Sequence, residues 1–177
     1  MEQEKRFQYN GTGFSLDGKG FFPYSGEMHH FRVHPQLWAD RFLRMKRAFL
    51  NCTGAYFYWP IIEPTEGNFQ FVGDSDLQQY YQSASQAGLF AIARPGPYIC
   101  AEVNAGGHPH WMFPNVHEPR SLDSSYIEYA KNYYGKVNEI VKEFDVQNGS
   151  EEKINIMYQV ENEMFSRATK GGNPEYH

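Results

Sequence analysis

Apolar positions along this chain fall into short β-type runs separated by longer stretches of helical spacing. Between residues 14 and 33 the apolar residues flank Asp17-Gly18, a dipeptide suited to a tight turn, which predicts a hairpin and then a strand near residues 21–31. Trp38, Phe42, Met45 and Phe49 step by four, three and four, one stripe of a helix that starts after Pro35, ends before Asn51 and points all four into a core. Residues 52–59 (CTGAYFYW) read as a strand, and Pro60 with Pro64 then breaks the backbone into a loop. Residues 76–87 form a second helix closed by Gly88. The run LFAIA at 89–93 is a strand leading into a Pro/Gly-rich loop at 94–107. After Asp123, residues Ile127, Ala130, Tyr134, Val137, Val141 and Phe144 mark the longest helix, for which Ser125 and Glu128 offer a capping box. The last segment, 154–165 (INIMYQVENEMF), is an apolar strand ending on carboxylates and amides.

Strands and helices therefore alternate, which calls for α/β architecture with a parallel sheet. No G-x-G-x-x-G follows any strand, so an open dinucleotide-binding sheet is the poorer reading and a barrel the better. An eight-stranded barrel takes about 250 residues. Four strands already occupy 177, so the sequence reads as a partial TIM (β/α)8 barrel, about the first four βα units, with residues 1–177 the N-terminal portion of an incomplete catalytic barrel. No linker or low-complexity run divides it.

In barrels of this kind, active sites gather at the C-terminal ends of the strands. Here those ends carry Tyr56, Tyr58, Trp59 and then Glu63; Arg94, Tyr98, Cys100 and Glu102; and Gln159, Glu161, Asn162 and Glu163. Strict alternation puts Ile154, Ile156, Tyr158 and Val160 on one face and Asn155, Met157, Gln159, Glu161 and Glu163 on the other, so parity does not choose between the two glutamates. Aromatic surfaces, amides and carboxylates in one cleft suit hydrolysis of a neutral, hydroxyl-rich ligand, because glycoside cleavage needs one carboxyl to protonate the leaving oxygen and a second to attack or to activate water.

Composition narrows the field. The net charge is −5 with scattered Lys and Arg, which removes the electrostatic footprint of a nucleic-acid binder. No window is apolar enough to span a membrane, and residues 1–6 (MEQEKR) are charged where a signal peptide needs an apolar run, so the expectation is a soluble chain without an export signal. Aromatics reach 17%, either as core or as platforms for the C–H faces of a sugar. Cys52 and Cys100 are too few for a disulfide scaffold. His29, His30, His34, His108 and His110 fit no compact zinc spacing, so no metal is expected. Of two glycosylation triplets, the one at Asn51 opens a buried strand; the other is Asn148-Gly149-Ser150.

GEMHHF at 26–31, RPGPYICAEVNAGGHPHW at 94–111 and QVENEMF at 159–165 resemble, in order and spacing, the N-terminal half of a family 35 glycoside hydrolase, the β-galactosidases of the large acid/base barrel clan. The resemblance implies a retaining exo-glycosidase that releases terminal β-galactose, with no cofactor and a β-galactoside as its partner. It makes Glu163 the general acid/base and Asn162 the ligand of the sugar 2-hydroxyl. Tyr56, Cys100, Ala101 and Glu102 would line the galactose subsite. The nucleophilic glutamate of such enzymes comes from the seventh strand, which this chain does not reach; their usual compartment is secreted or lysosomal. Pro60-Ile61-Ile62 and Val103 depart from the common family pattern, which loosens any inference about the aglycone. The alternative is a catalytically inactive fragment or a sugar-binding half-barrel lacking the nucleophile.

Overall fold

The computed structural model describes residues 6–149 and 153–164, so Phe165 and the Ser150 of the second triplet lie outside the described residues. A small antiparallel sheet comes first: β1 (Phe7–Tyr9), β2 (Phe14–Leu16) and β3 (Lys19–Phe21), in that spatial order. Asp17-Gly18 makes the β2–β3 turn, as its left-handed φ values of 49° and 74° require. A second, wholly parallel sheet follows, made of β4 (Ser25–Glu27), β5 (Cys52–Tyr56), β6 (Phe90–Gly96) and β7 (Asn155–Val160) in sequential spatial order. The connections run through α1 (Trp38–Arg47), α3 (Leu77–Gln86) and α4 (Ser124–Val141), and a single turn, α2 (Trp59–Ile62), leads off from the tip of β5. The alternating α/β order expected from spacing is thus present.

Several local expectations change. The strand expected at 21–31 is two short pieces, β3 and β4, separated by a segment that contains Pro23. Pro60 starts a helical turn instead of breaking one, because the missing N–H of a residue in the first turn costs no hydrogen bond. β6 runs on through Arg94-Pro95-Gly96, which places Arg94 on the strand instead of in the loop. Phe49 lies beyond the end of α1, in a left-handed conformation, and is 88% exposed, so it leaves the core stripe that Trp38, Phe42 and Met45 do form. The cap of α4 is Asp123, whose carboxylate accepts the N–H groups of Ser125 and Tyr126; no Ser125–Glu128 box forms the cap. α3 closes at left-handed Gly88 as expected, while Asp76, expected inside the helix, caps its start.

The core lies between the parallel sheet and its helices and is built largely of aromatics, among them Trp38, Phe42, Tyr80, Tyr81, Tyr126 and Tyr133. Their hydroxyls are satisfied in place: Tyr80 donates to the Met28 carbonyl at 2.6 Å, Tyr81 to Asn155 Oδ1 at 3.3 Å and Tyr133 to the Pro95 carbonyl at 3.0 Å. Each bond ties a helix to a particular residue of the strand layer. At the N-terminal ends of the strands a second cluster of Cys52, Val146 and Ile156 packs against Phe7, Phe21 and Phe90, so the antiparallel sheet covers that end. The opposite rim, where the strands finish, is left to carry polar groups.

Candidate active site

Four strand tips converge on one hydrogen-bonded belt. Glu27 at the end of β4 takes Arg94 Nη1 at 2.7 Å; Arg94 also gives Nε to Gln159 Oε1 of β7 at 2.9 Å and Nη2 to the Tyr56 hydroxyl of β5. Tyr56 in turn donates to Asn162 Oδ1 at 2.6 Å, and Gln159 Nε2 reaches the same oxygen at 3.4 Å. The Arg94 guanidinium sits 3.8 Å from the Tyr56 ring centroid, a cation–π contact that fixes the ring below the belt. Room for Glu27 comes from Gly54: a Cβ there would stand 2.4 Å from Glu27 Oε1. Burial raises the Glu27 carboxyl, but its hydrogen bond with His29 and the charge of Arg94 outweigh burial and hold it below the ordinary carboxylate value. On the far side of Glu27, Arg32 donates to His29 Nδ1 at 2.6 Å, so the ring proton sits on Nε2, which faces Glu27 Oε2 at 3.4 Å.

Arg32 also donates to the Ala101 carbonyl and so joins the belt to the turn of Cys100, Ala101 and Glu102. These three consecutive residues all have left-handed φ, 58°, 47° and 48°. Such a run of non-glycine residues is held by its surroundings, not by its own preference. Glu102 is exposed, Ala101 buried and Cys100 half-buried. A hydrogen bond with the Cys100 thiol, with burial behind it, pushes the Tyr98 hydroxyl up to about 12. The Tyr98 ring fits because Gly106 has no side chain: a Cβ there would meet it at 2.1 Å.

The two glutamates that share parity in the sequence part company in space. β7 ends at Val160, and Glu161 takes a φ of 61°, as does Glu163 at 52°, so alternation stops where the chemistry begins. Glu161 turns inward, 6% exposed, and receives Arg120 Nε at 2.9 Å and the Tyr126 hydroxyl at 3.4 Å. Burial raises its carboxyl above the ordinary value, against the opposing charge of Arg120. Glu163 is exposed, and its charge raises the hydroxyls of both Tyr56 and Tyr98, after burial and the nearer groups. Both hydroxyls thus lie within reach of its charge.

Some residues expected at the rim are elsewhere. Trp59 is fully buried and stacked on Tyr133, with centroids 4.6 Å apart. Glu63 is buried too and serves the loop, accepting Trp59 Nε1 at 2.6 Å and the Gly67 N–H at 2.8 Å. Trp111 donates to the Glu63 carbonyl at 2.8 Å and packs edge-on to Tyr129. Both cysteines are free. Among the described residues no three His, Cys, Asp or Glu side chains gather as a metal ion would need, and no helix is long and apolar enough to cross a membrane. Reading the sequence alone passes over Glu27, Arg32 and Arg120. A glycine inside the buried run CTGAY was the one local sign of a close approach, and it marks where Glu27 packs.

Sequence comparison matches residues 13–176 to the family described as Glycosyl hydrolases family 35. A mouse protein named Beta-galactosidase-1-like protein is 40% identical over 155 residues, covering 86% of this chain and 23% of that protein. A cat protein named Beta-galactosidase is 38% identical over 167 residues, covering 93% and 24%. An Exo-beta-D-glucosaminidase of Pyrococcus horikoshii is 35% identical over 166 residues, covering 81% and 21%. The chain thus spans about a quarter of the length of these relatives. Among solved structures, the AHE enzyme from Alicyclobacillus herbarius superposes with a TM-score of 0.57 at 15% identity, over 81% of this chain and 28% of that one, a likeness of fold.

Proposed function

Because the chain belongs to glycosyl hydrolase family 35, we propose that it supplies the acid/base side of a retaining exo-glycosidase site that removes terminal β-galactose, and that its parallel sheet is the first half of a β/α barrel. Among the described residues β4 and β7 each pair on one side only, which leaves an edge at either end of the sheet for further strands. The single observation that carries the reading is the divergence of Glu161 and Glu163: of the two carboxyls at the tip of β7, one is committed to Arg120 and the other stands exposed at the rim with Tyr56. An exposed carboxyl beside a sugar subsite can hand its proton to the leaving oxygen and later take one from water.

The remaining residues take supporting roles. Asn162 Oδ1 is committed to Tyr56 and Gln159, which leaves the amide's N–H groups to donate to a sugar hydroxyl. Glu102, Cys100 and Ala101 shape the terminal-sugar pocket, with Glu102 accepting hydroxyl protons. No cofactor takes part. The second carboxyl, the nucleophile, comes from a later strand and stands about 5 to 5.5 Å from Glu163 in a retaining site. The names of the relatives divide between galactoside and glucosaminide cleavage, and the galactoside reading follows the larger share of those named here.

The test uses protein from the full reading frame that contains this chain. Glu163→Gln should lower kcat on alkyl β-galactosides by about 10²–10⁴-fold, the usual worth of a general acid, and affect nitrophenyl galactosides far less, since their leaving group needs no proton. Equal loss on both substrate classes would sink the assignment.

A further inference from the structure

Arg120 has a position that a surface arginine would not. It lies in the loop before α4, is 9% exposed and holds a left-handed φ of 61°. Besides a long contact from Nη2 to Met164 Sδ at 3.7 Å, its guanidinium serves three partners at once. Nε donates to Glu161 Oε2 at 2.9 Å, Nη2 donates to the Asn162 carbonyl at 2.6 Å, and the flat face lies 4.0 Å from the Tyr98 ring centroid. A planar cation with several N–H groups can satisfy all three; an ammonium cannot.

These partners belong to the two segments that carry the proposed site. Tyr98 packs on Gly106, whose carbonyl accepts the Cys100 N–H at 3.2 Å at the head of the left-handed turn that ends on Glu102. The Asn162 carbonyl belongs to the peptide group that also contains the Glu163 nitrogen. A peptide group is planar, so gripping its oxygen fixes the plane from which the Glu163 side chain departs. The geometry points to Arg120 as a positioning residue: through the Asn162 carbonyl and the Tyr98 ring it sets the aim of the Glu163 carboxyl toward the sugar pocket. This role rests on the reading of Glu163 as the proton donor, and the experiment separates the two.

Removing Arg120 alone would strand the buried Glu161 carboxylate, so the deciding protein is the double variant Arg120→Met with Glu161→Met. Apolar replacement of both members of a buried pair is often tolerated. In the full-reading-frame protein, kcat is measured on an alkyl β-galactoside and on a nitrophenyl β-galactoside, with Glu163→Gln alongside. The ratio of the two kcat values does not depend on how much of the sample is folded. A misaimed acid penalises the alkyl substrate, and a displacement near 1 Å costs about 10²-fold, so the ratio should fall at least about tenfold in the double variant. A ratio unchanged there but lowered in Glu163→Gln would leave the acid in place and reduce Arg120 to packing, which overturns the inference. A ratio unchanged in Glu163→Gln would remove the reading on which the inference rests, and the inference with it.

Discussion

Glu161 and Glu163 stand two residues apart with opposite fates: the first is buried against Arg120, the second is exposed at the strand rim. The cause is a change of backbone hand at residue 161, which ends the alternation of β7. A carboxyl buried against an arginine and one exposed to solvent are suited to different duties.

His30 supplies a pH signature. It is fully buried; its Nδ1–H donates to the Asp74 carbonyl and its Nε2 accepts the Tyr58 N–H at 3.3 Å, so both ring nitrogens are already engaged in the neutral form. Burial lowers its pKa from 6.5 to about 4. Between those values the unfolded chain binds a proton that the folded one refuses, so stability falls as pH falls through that window, by up to roughly 1.4 kcal/mol per pH unit from this group. Urea unfolding of wild type and His30→Gln at pH 7, 5.5 and 4.5 should show the shallower pH slope in the variant; parallel slopes would refute it.

Gly106→Ala should damage the proposed sugar pocket from behind. The new Cβ would stand 2.1 Å from the Tyr98 ring at a backbone φ of 62°. Overpacking of this sort costs about 1–3 kcal/mol. If Tyr98 steadies the Cys100 turn, the full-reading-frame variant should show a KM for galactosides raised about tenfold. An unchanged KM would detach Tyr98 from the subsite.

Trp59→Ala is expected to be a stability variant and not a binding one, because the indole is stacked on Tyr133 and tied to Glu63. The loss should be about 3–5 kcal/mol, read as a shift of the denaturation midpoint. Weakened sugar binding at undiminished stability would return Trp59 to the cleft.

The purified 177-residue chain should release no nitrophenol from a nitrophenyl β-galactoside, since the proposed mechanism draws its attacking carboxylate from a later strand. Robust turnover would mean that a second carboxyl within these residues does that work.

The alternation of elements was legible because it rests on local spacing: the stripe of α1 and the Asp76 and Gly88 ends of α3 each need only neighbours within a few turns. Phe49 misled because it keeps the stripe's spacing two residues after the helix has stopped. Side-chain spacing did not separate Glu161 from Glu163; the resemblance named Glu163, and the backbone reversal that parts them in space is one no side-chain pattern announces. Arg120 was invisible for a different reason: its partners Glu161 and Asn162 lie 41 and 42 residues away, and only the folded sheet brings them together.

The left-handed run at residues 100–102 has a consequence for the order in which the molecule assembles. Left-handed residues with side chains cost roughly 1–2 kcal/mol apiece, so this stretch will not adopt its shape until Arg32 has closed on the Ala101 carbonyl. The turn of residues 100–102 should then be among the last pieces to set and the first to loosen on warming, with amide exchange there quickening well below the temperature at which the aromatic interior gives way.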